Sequence, residues 1–310
     1  MQFRTQIPIT KYKALIDYNS EIFSIGSCFA VNISQKFDYF KLKNTVNPFG
    51  VLFHPLAIEK VLEKSIKRIL FTEKDIFFHN ELWYCFDVHS ELSAIDKSEF
   101  LYQLNQVVAN TQEVLARTTH IIITLGTSWV YRYNQTGQIV ANCHKVPQTE
   151  FTKELLSPDE ITQSLERIIT LFPDKKIIFT ISPVRHSKDG FFENNVSKSH
   201  LFTALNRVLS KNVNYFPAYE IVMDELRDYR FFSEDMLHPN QIAIDYIWKR
   251  FSENYLTDHA LEVSKEVDAI QKALNHKPFN PNTEAHRKFI ESTQKRIEKL
   301  GEIWRNRVVK

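Results

Sequence analysis

Phe23-Ser24-Ile25-Gly26-Ser27-Cys28-Phe29-Ala30 reads as a short apolar strand, a glycine-enabled sharp turn and a helix start, continued by Ile33 and Phe37 at helical spacing. A strand feeding straight into a helix leaves the first N–H groups of that helix unpaired and its dipole positive. Ser27 at that mouth faces a place where developing negative charge is favoured. This is nucleophile geometry, and equally the geometry of an ordinary turn with a serine N-cap, so the remainder of the chain has to decide.

Working outward, extended residues near Leu42–Val46 end in Asn47-Pro48-Phe49-Gly50, and a helical pattern runs from Pro55 to Ile66. The aromatic section through Phe77, Phe78, Trp83, Tyr84 and Phe86 reads as packing beneath a loop. After a helix over about 97–116, His120–Leu125 is an unbroken apolar run of the kind buried on both faces of a parallel sheet. It stops at Gly126-Thr127-Ser128. A β-hairpin is expected over about 129–141. Ser157-Pro158-Asp159-Glu160 opens a capped helix that leads to a second buried strand, Lys176–Ile181, with a further helix expected over about 197–209 and a short strand near Tyr215-Phe216.

Repeated strand, loop and helix predict an α/β fold, a three-layer α/β/α sandwich with a mainly parallel sheet, whose chemistry gathers at the carboxyl ends of the strands. Of six glycines, Gly26, Gly50 and Gly126 fall at such exits, where a backbone can approach a ligand closely. The division expected is an α/β domain over residues 1–257 and a helical hairpin extension over 258–310. Its stripes are Val263, Val267, Ile270 and Leu274, then Ile290, Thr293, Ile297, Leu300 and Trp304. These faces either pack on their own domain, form a homodimer contact or serve a movable lid.

The chain has 310 residues, 43% hydrophobic and 25% charged, enough for a sizeable core without covalent staples. Lys+Arg of 39 against Asp+Glu of 37 leaves +2, too little to draw nucleic acid or a membrane surface. Cys28, Cys85 and Cys143 form neither a CxxC pair nor a disulfide framework, and no segment approaches the ~20 apolar residues of a membrane span. A cytoplasmic location is expected. The histidines lack metal-ligand spacing and there is no phosphate-binding glycine loop, so neither a metal nor another cofactor is expected.

The second motif is Asp235-Met236-Leu237-His238-Pro239-Asn240. A carboxylate three residues before a histidine can fold back and hold the imidazole in one tautomer, the orienting role a nucleophile–base pair requires. Pro239 is expected in the first turn of a helix, which would place His238 at its N-terminal end and keep the ring neutral. The same residues also fit a simple capped helix start.

Gly26-Ser27-Cys28-Phe29-Ala30, Asn47-Pro48-Phe49-Gly50, Leu125-Gly126-Thr127, Asn142-Cys143-His144-Lys145 and Asp235-Met236-Leu237-His238 together resemble the GSCFA family, within the SGNH or GDSL-type hydrolase superfamily with its flavodoxin-like sheet. The resemblance covers about residues 1–255. It implies Ser27 as nucleophile, His238 as base, Asp235 as orienting acid, and an oxyanion hole built from the N–H groups of Ser27 and Gly50. It also implies an esterase or acyl transferase acting on small O-acyl groups, acetyl esters of carbohydrates above all. Two departures stand out. Gly126-Thr127-Ser128 lacks the asparagine of the usual Gly-x-Asn, leaving Asn47, Asn142 or Thr127 as substitute donors, and Gly26 occupies the place of the aspartate.

Asn142 and His144 are further candidates for contacting a substrate carbonyl or hydroxyl, and Arg185 with His186 for an anionic or sugar substrate. Thiol chemistry at Cys28 or Cys143 is a separate possibility; Cys28, on the first helical turn, can have a lowered pKa. A site that only binds a glycan or partner would explain the missing asparagine equally well.

Overall fold

A computed structural model describes residues 4–305. The chain begins with β1 (Glu21–Gly26), α1 (Cys28–Tyr39), β2 (Lys43–Val46) and α2 (Pro55–Lys67). It continues through β3 (Ile76–His79), β4 (Leu82–Cys85), α3 (Lys97–Arg117), β5 (His120–Leu125), β6 (Trp129–Tyr133), β7 (Ile139–Val140) and β8 (Phe151–Leu155). Then come α4 (Pro158–Leu171), β9 (Lys176–Ile181), α5 (Phe191–Val208), β10 (Val213–Tyr215) and a short α6 (Ala218–Glu220). The described chain closes with α7 (Gln241–Tyr255), α8 (Asp258–Asn275), α9 (Glu284–Leu300) and the last turn α10 (Glu302–Arg305).

Five strands make the central sheet in the order β10-β9-β5-β1-β2, each neighbour parallel to the next. Alternation along the strands divides the core into two layers. Phe23, Ile121, Ile123, Ile177 and Phe179 meet the apolar stripes of α2, α3, α4 and α5. Ile22, Ile122 and Ile178 face the other way, onto Phe29, Ile33 and Phe37 of α1 and Ile247, Phe251 and Tyr255 of α7. Each such side chain taken out of water contributes roughly 1.5–3 kcal/mol, which makes the two-sided burial of this sheet the main source of stability. The chain leaves β1 toward β2 on one side and returns to β5 on the other. The strand order therefore reverses at β1, and the cleft of such a fold opens above the exits of β1 and β5.

Several elements differ from expectation for local reasons. The aromatic section is an antiparallel hairpin, β3–β4, turned by Asn80 and Glu81 with φ of 45° and 64°. The hairpin after β5 has a third strand, β8, which pairs with β6. Helix α5 starts at Phe191 rather than 197, and α7 starts at Gln241, capped by Asn240, whose side chain accepts the Ala243 N–H at 3.1 Å. Pro239 therefore precedes the cap and does not occupy the first helical turn. On α8 the buried stripe is Ala260, Ser264, Val267 and Ile270, while Leu274 is exposed. On α9 only Thr293 is buried among its described residues, and the helix is tied to α8 by a bidentate Arg296–Glu266 pair at 2.7 and 2.9 Å.

Two histidines are structural: His54, and His144, expected to contact substrate. His54 caps α2: its Nδ1 accepts the Ala57 N–H at 3.2 Å and its Nε2 donates to Val140 O at 3.1 Å. His144 is buried against Phe77, Tyr84 and Phe86, with Nε2 donating to Cys85 O at 2.7 Å and Nδ1 against Ser90 Oγ at 2.9 Å. Burial pushes both rings down to about 4. An unfolded chain takes up these protons below its ordinary 6.5, whereas the folded chain resists until about 4, so protons favour unfolding between those values. Tm is accordingly expected to fall as pH drops from about 6.5 toward 4; a Tm flat across that window would show that these rings are not held neutral.

Candidate active site

β1 ends at Gly26, whose φ of +135° lets the chain turn where a Cβ would lie 2.1 Å from Thr124 O on the neighbouring strand. Ser27 is the N-cap of α1, with extended backbone and no side-chain cap bond. Its Oγ is buried without a hydrogen-bond partner. Cys28, the first residue of the helix, is half-buried, and its Sγ lies 3.5 Å from His238 Nε2. The group facing the candidate base is thus the thiol, one residue beyond the serine the motif points to.

His238, the candidate base, is held by Asp235 as the spacing predicts. Asp235 Oδ1 accepts the N–H groups of Leu237 and His238, each at 2.9 Å, in a tight turn that includes Met236 at φ +59°. This leaves Oδ2 to take the His238 Nδ1–H at 2.6 Å. Those backbone donors first, and the imidazole after them, hold the Asp235 carboxyl down at about 2, so it stays an anion throughout the neutral range. The loop carrying both residues is closed by Ser233 N–H donating to His238 O at 2.7 Å and by the Asn240 amide bonded to Arg230 O and Phe232 O.

Burial pushes the Cys28 thiol up, against the pull of the Phe29 N–H, of Lys198 and of its own N–H, with Asp235 adding to the rise. The resting group is consequently a protonated thiol that needs a base to react. The opening N–H groups of α1, those of Cys28 and Phe29, bear on this sulfur, where the helix dipole favours negative charge.

The oxyanion arrangement implied by the resemblance differs. The Ser27 N–H donates to Thr124 O at 3.0 Å and the Gly50 N–H to Asn47 O at 2.8 Å, so neither is free. Gly50 instead serves the turn, with φ of +73° and His89 packed where a Cβ would be. Gly126 and Thr127 both donate to Phe53 O, at 2.8 and 3.0 Å, and the Thr127 hydroxyl is bonded to Ser197 Oγ at 2.9 Å. The Asn142 side-chain Oδ1 accepts the His144 N–H at 2.8 Å, in the loop beside the β3–β4 hairpin. Asn47 is the exception. Its Oδ1 accepts the Gly26 N–H at 2.8 Å, whereas its Nδ2 is buried with no partner, an amide donor left unspent beside the β1 exit.

His186 joins the site from the β9 exit. It packs edge-on to Phe53 at 5.5 Å, and its Nε2 lies 3.4 Å from where a Cβ on Gly126 would stand. Burial first, then the Lys198 charge, push it down to about 4. Its neighbour Arg185 rests on Met223 Sδ at 3.3 Å and lines a cleft with Asp235, Met236, Leu237, Phe191 and Tyr229. Sequence reasoning missed Lys198. Its position three and seven residues before Leu201 and Leu205, on the apolar stripe of α5, was the available signal.

Among the described residues no group of three or more His, Cys, Asp or Glu is placed to hold a metal ion, and no helix is long and apolar enough to cross a membrane. No curated protein matches the chain. A model of the GSCFA domain protein C-terminal domain matches residues 267–306, from the second half of α8 through α9 and α10. The GSCFA family model matches residues 21–251, from the first residue of β1 through most of α7 and across the whole of the site just described, and the chain belongs to the GSCFA family.

Proposed function

We propose that the protein is an acyl-transferring hydrolase of ester bonds in which Cys28 is the nucleophile, His238 the general base and acid, and Asp235 the group that orients it. The observation that carries this reading is the continuous line Cys28 Sγ, His238 Nε2, His238 Nδ1, Asp235 Oδ2, with separations of 3.5 Å and 2.6 Å at its two junctions. His238 takes the thiol proton as Sγ attacks the ester carbonyl. The tetrahedral intermediate collapses by breaking the C–O bond, and the imidazolium returns the proton to the leaving alkoxide. Water or an acceptor hydroxyl then attacks the thioester, losing its proton to His238, and the departing thiolate is reprotonated. The Asn47 amide and the Cys28 and Phe29 N–H groups of α1 are the candidate donors to the developing oxyanion.

The cleft beside Asp235 supports small acyl esters of a larger acceptor. Phe191 and Tyr229 are exposed there, offering flat apolar faces of the kind on which sugar rings stack, and Arg185 adds a cation. Acetyl groups on a carbohydrate remain the preferred substrate class. The test is acetyl release from p-nitrophenyl acetate and from acetylated sugars, with a burst of about one equivalent expected; release no faster than with heat-denatured protein contradicts the proposal.

A second reading, a cleft that binds a glycan or partner without turnover, is favoured by one observation. The Ser27 and Gly50 N–H groups, the expected oxyanion donors, are both engaged elsewhere. Under that reading acetylated sugars bind and are recovered intact.

A further inference from the structure

The cleft beside the loop that carries His238 has a volume of about 620 Å³, the size of a small-ligand site, and is lined by Arg185 and Arg227 together with Asp228, Asp235, Phe191 and Tyr229. Both of its carboxylates are already engaged. Asp228 takes the Arg230 N–H on Oδ1 at 2.8 Å and the Arg230 guanidinium on Oδ2 at 2.9 Å. Asp235 gives Oδ1 to two backbone N–H groups and Oδ2 to His238.

The two arginines are not engaged in this way. Arg185, half-buried at the β9 exit, places its guanidinium against Met223 Sδ at 3.3 Å, a neutral thioether and a weak acceptor. Arg227 is exposed, and among the described residues neither arginine forms an ion pair with a carboxylate. The other cations nearby have partners: Arg230 has Asp228, and Lys198 donates to the Gly126 and Ser182 carbonyls at 2.6 and 2.8 Å. Asp224 lies in the adjoining groove that Arg227 also borders, and pairs with neither arginine. The cleft therefore carries two guanidinium groups that no carboxylate of the described residues neutralises. A guanidinium is a planar fork of N–H donors that matches two oxygens of a carboxylate or a phosphate, and partial removal from water strengthens such a contact.

We infer that the acceptor carrying the acyl group is an anionic sugar, its carboxylate or phosphate held by Arg185 with Arg227 as the second, solvent-facing cation, and its ring laid on Phe191 or Tyr229. Those two aromatic side chains are 61% and 71% exposed, apolar faces in the same cleft as the unpaired charges. Asp235, Met236 and Leu237 form the wall next to His238, so a sugar seated here lies beside the loop that carries the base. A neutral sugar would use the aromatic faces and leave both guanidinium groups without a counter-charge. The inference names the substrate of the ester-cleaving reading and rests on that reading for its chemistry, while recognition of the anion is measurable without turnover.

The test is equilibrium binding of methyl glucuronide, glucose 6-phosphate and methyl glucoside to the full chain, followed by ligand-observed NMR titration at low ionic strength. At least one of the two anionic sugars is expected to bind about tenfold or more tighter than methyl glucoside. The glucuronide binding tighter identifies a sugar acid, and the 6-phosphate binding tighter identifies a phosphorylated sugar. In Arg185→Met the advantage over the glucoside is expected to fall below about twofold, with Arg185→Lys keeping part of it. Arg227→Met, at an exposed position, is expected to reduce it about threefold and is the second variant should the Arg185 protein fail to fold. Equal or undetectable binding of the three sugars overturns the inference, as does an advantage that survives intact in a folded Arg185→Met or, failing that, in Arg227→Met. Acetyl release from the O-acetylated forms of the same three sugars is measured alongside. Anion-selective binding with no release removes the ester-cleaving reading and keeps the anion site. Release with equal kcat/KM from all three keeps that reading and removes the anionic acceptor.

Discussion

Cys28→Ala is expected to lower ester turnover by on the order of 10³-fold or more, while Ser27→Ala stays within about tenfold of wild type. The asymmetry follows from the junction of β1 and α1. Ser27 Oγ is buried and bonded to nothing, and as an N-cap it makes no side-chain bond to the helix, so its removal costs neither a proton relay nor a cap. Cys28 Sγ is the atom within 3.5 Å of the base. Steady-state kinetics of the two variants on p-nitrophenyl acetate checks this, and equal losses in both would return the nucleophile to the serine. Asp235 marks the same line from its far end. Because its carboxyl stays ionised down to about 2, loss of activity on acidification above pH 3 is not expected to come from that residue.

The second large effect concerns stability. Gly26→Ala places a methyl 2.1 Å from Thr124 O and asks an L-residue to hold φ near +135°. The clash and the strained backbone together are expected to cost roughly 3–5 kcal/mol, lowering Tm by on the order of 10 °C or preventing accumulation of folded protein. Gly137→Ala is the control. It too has positive φ, +71°, but nothing lies within 4 Å of the added carbon, so only the backbone strain, about 1 kcal/mol, remains. Thermal melts of both variants test the comparison. Similar Tm values for the two would mean that the contact with β5 is not what selects glycine at position 26.

Features set by short-range rules were legible from the residues. β5 is a continuous apolar run because both of its faces are covered, and the start of α4 carries its capping box within four residues, with Glu160 Oε2 taking the Ser157 N–H at 2.8 Å. The Asp235–His238 contact spans three residues and could be read from spacing alone. What depended on distant partners was not legible. β8 is recognisable as a strand only through β6, and the aromatic β3–β4 hairpin is turned by residues that are neither glycine nor proline. The expected oxyanion donors are consumed by Thr124 and Asn47, the first of them about a hundred residues away in sequence. The choice between Ser27 and Cys28 turns on which of two adjacent side chains the helix directs toward a loop more than two hundred residues further on, and no local pattern records that direction.

The most direct measurement is the position of the acyl group in protein quenched during turnover of p-nitrophenyl acetate, read by tandem mass spectrometry across Ser27 and Cys28. The account predicts an acetyl thioester on Cys28, removed by neutral hydroxylamine and absent from Cys28→Ala. An acetyl ester on Ser27 with Cys28 unmodified would contradict it.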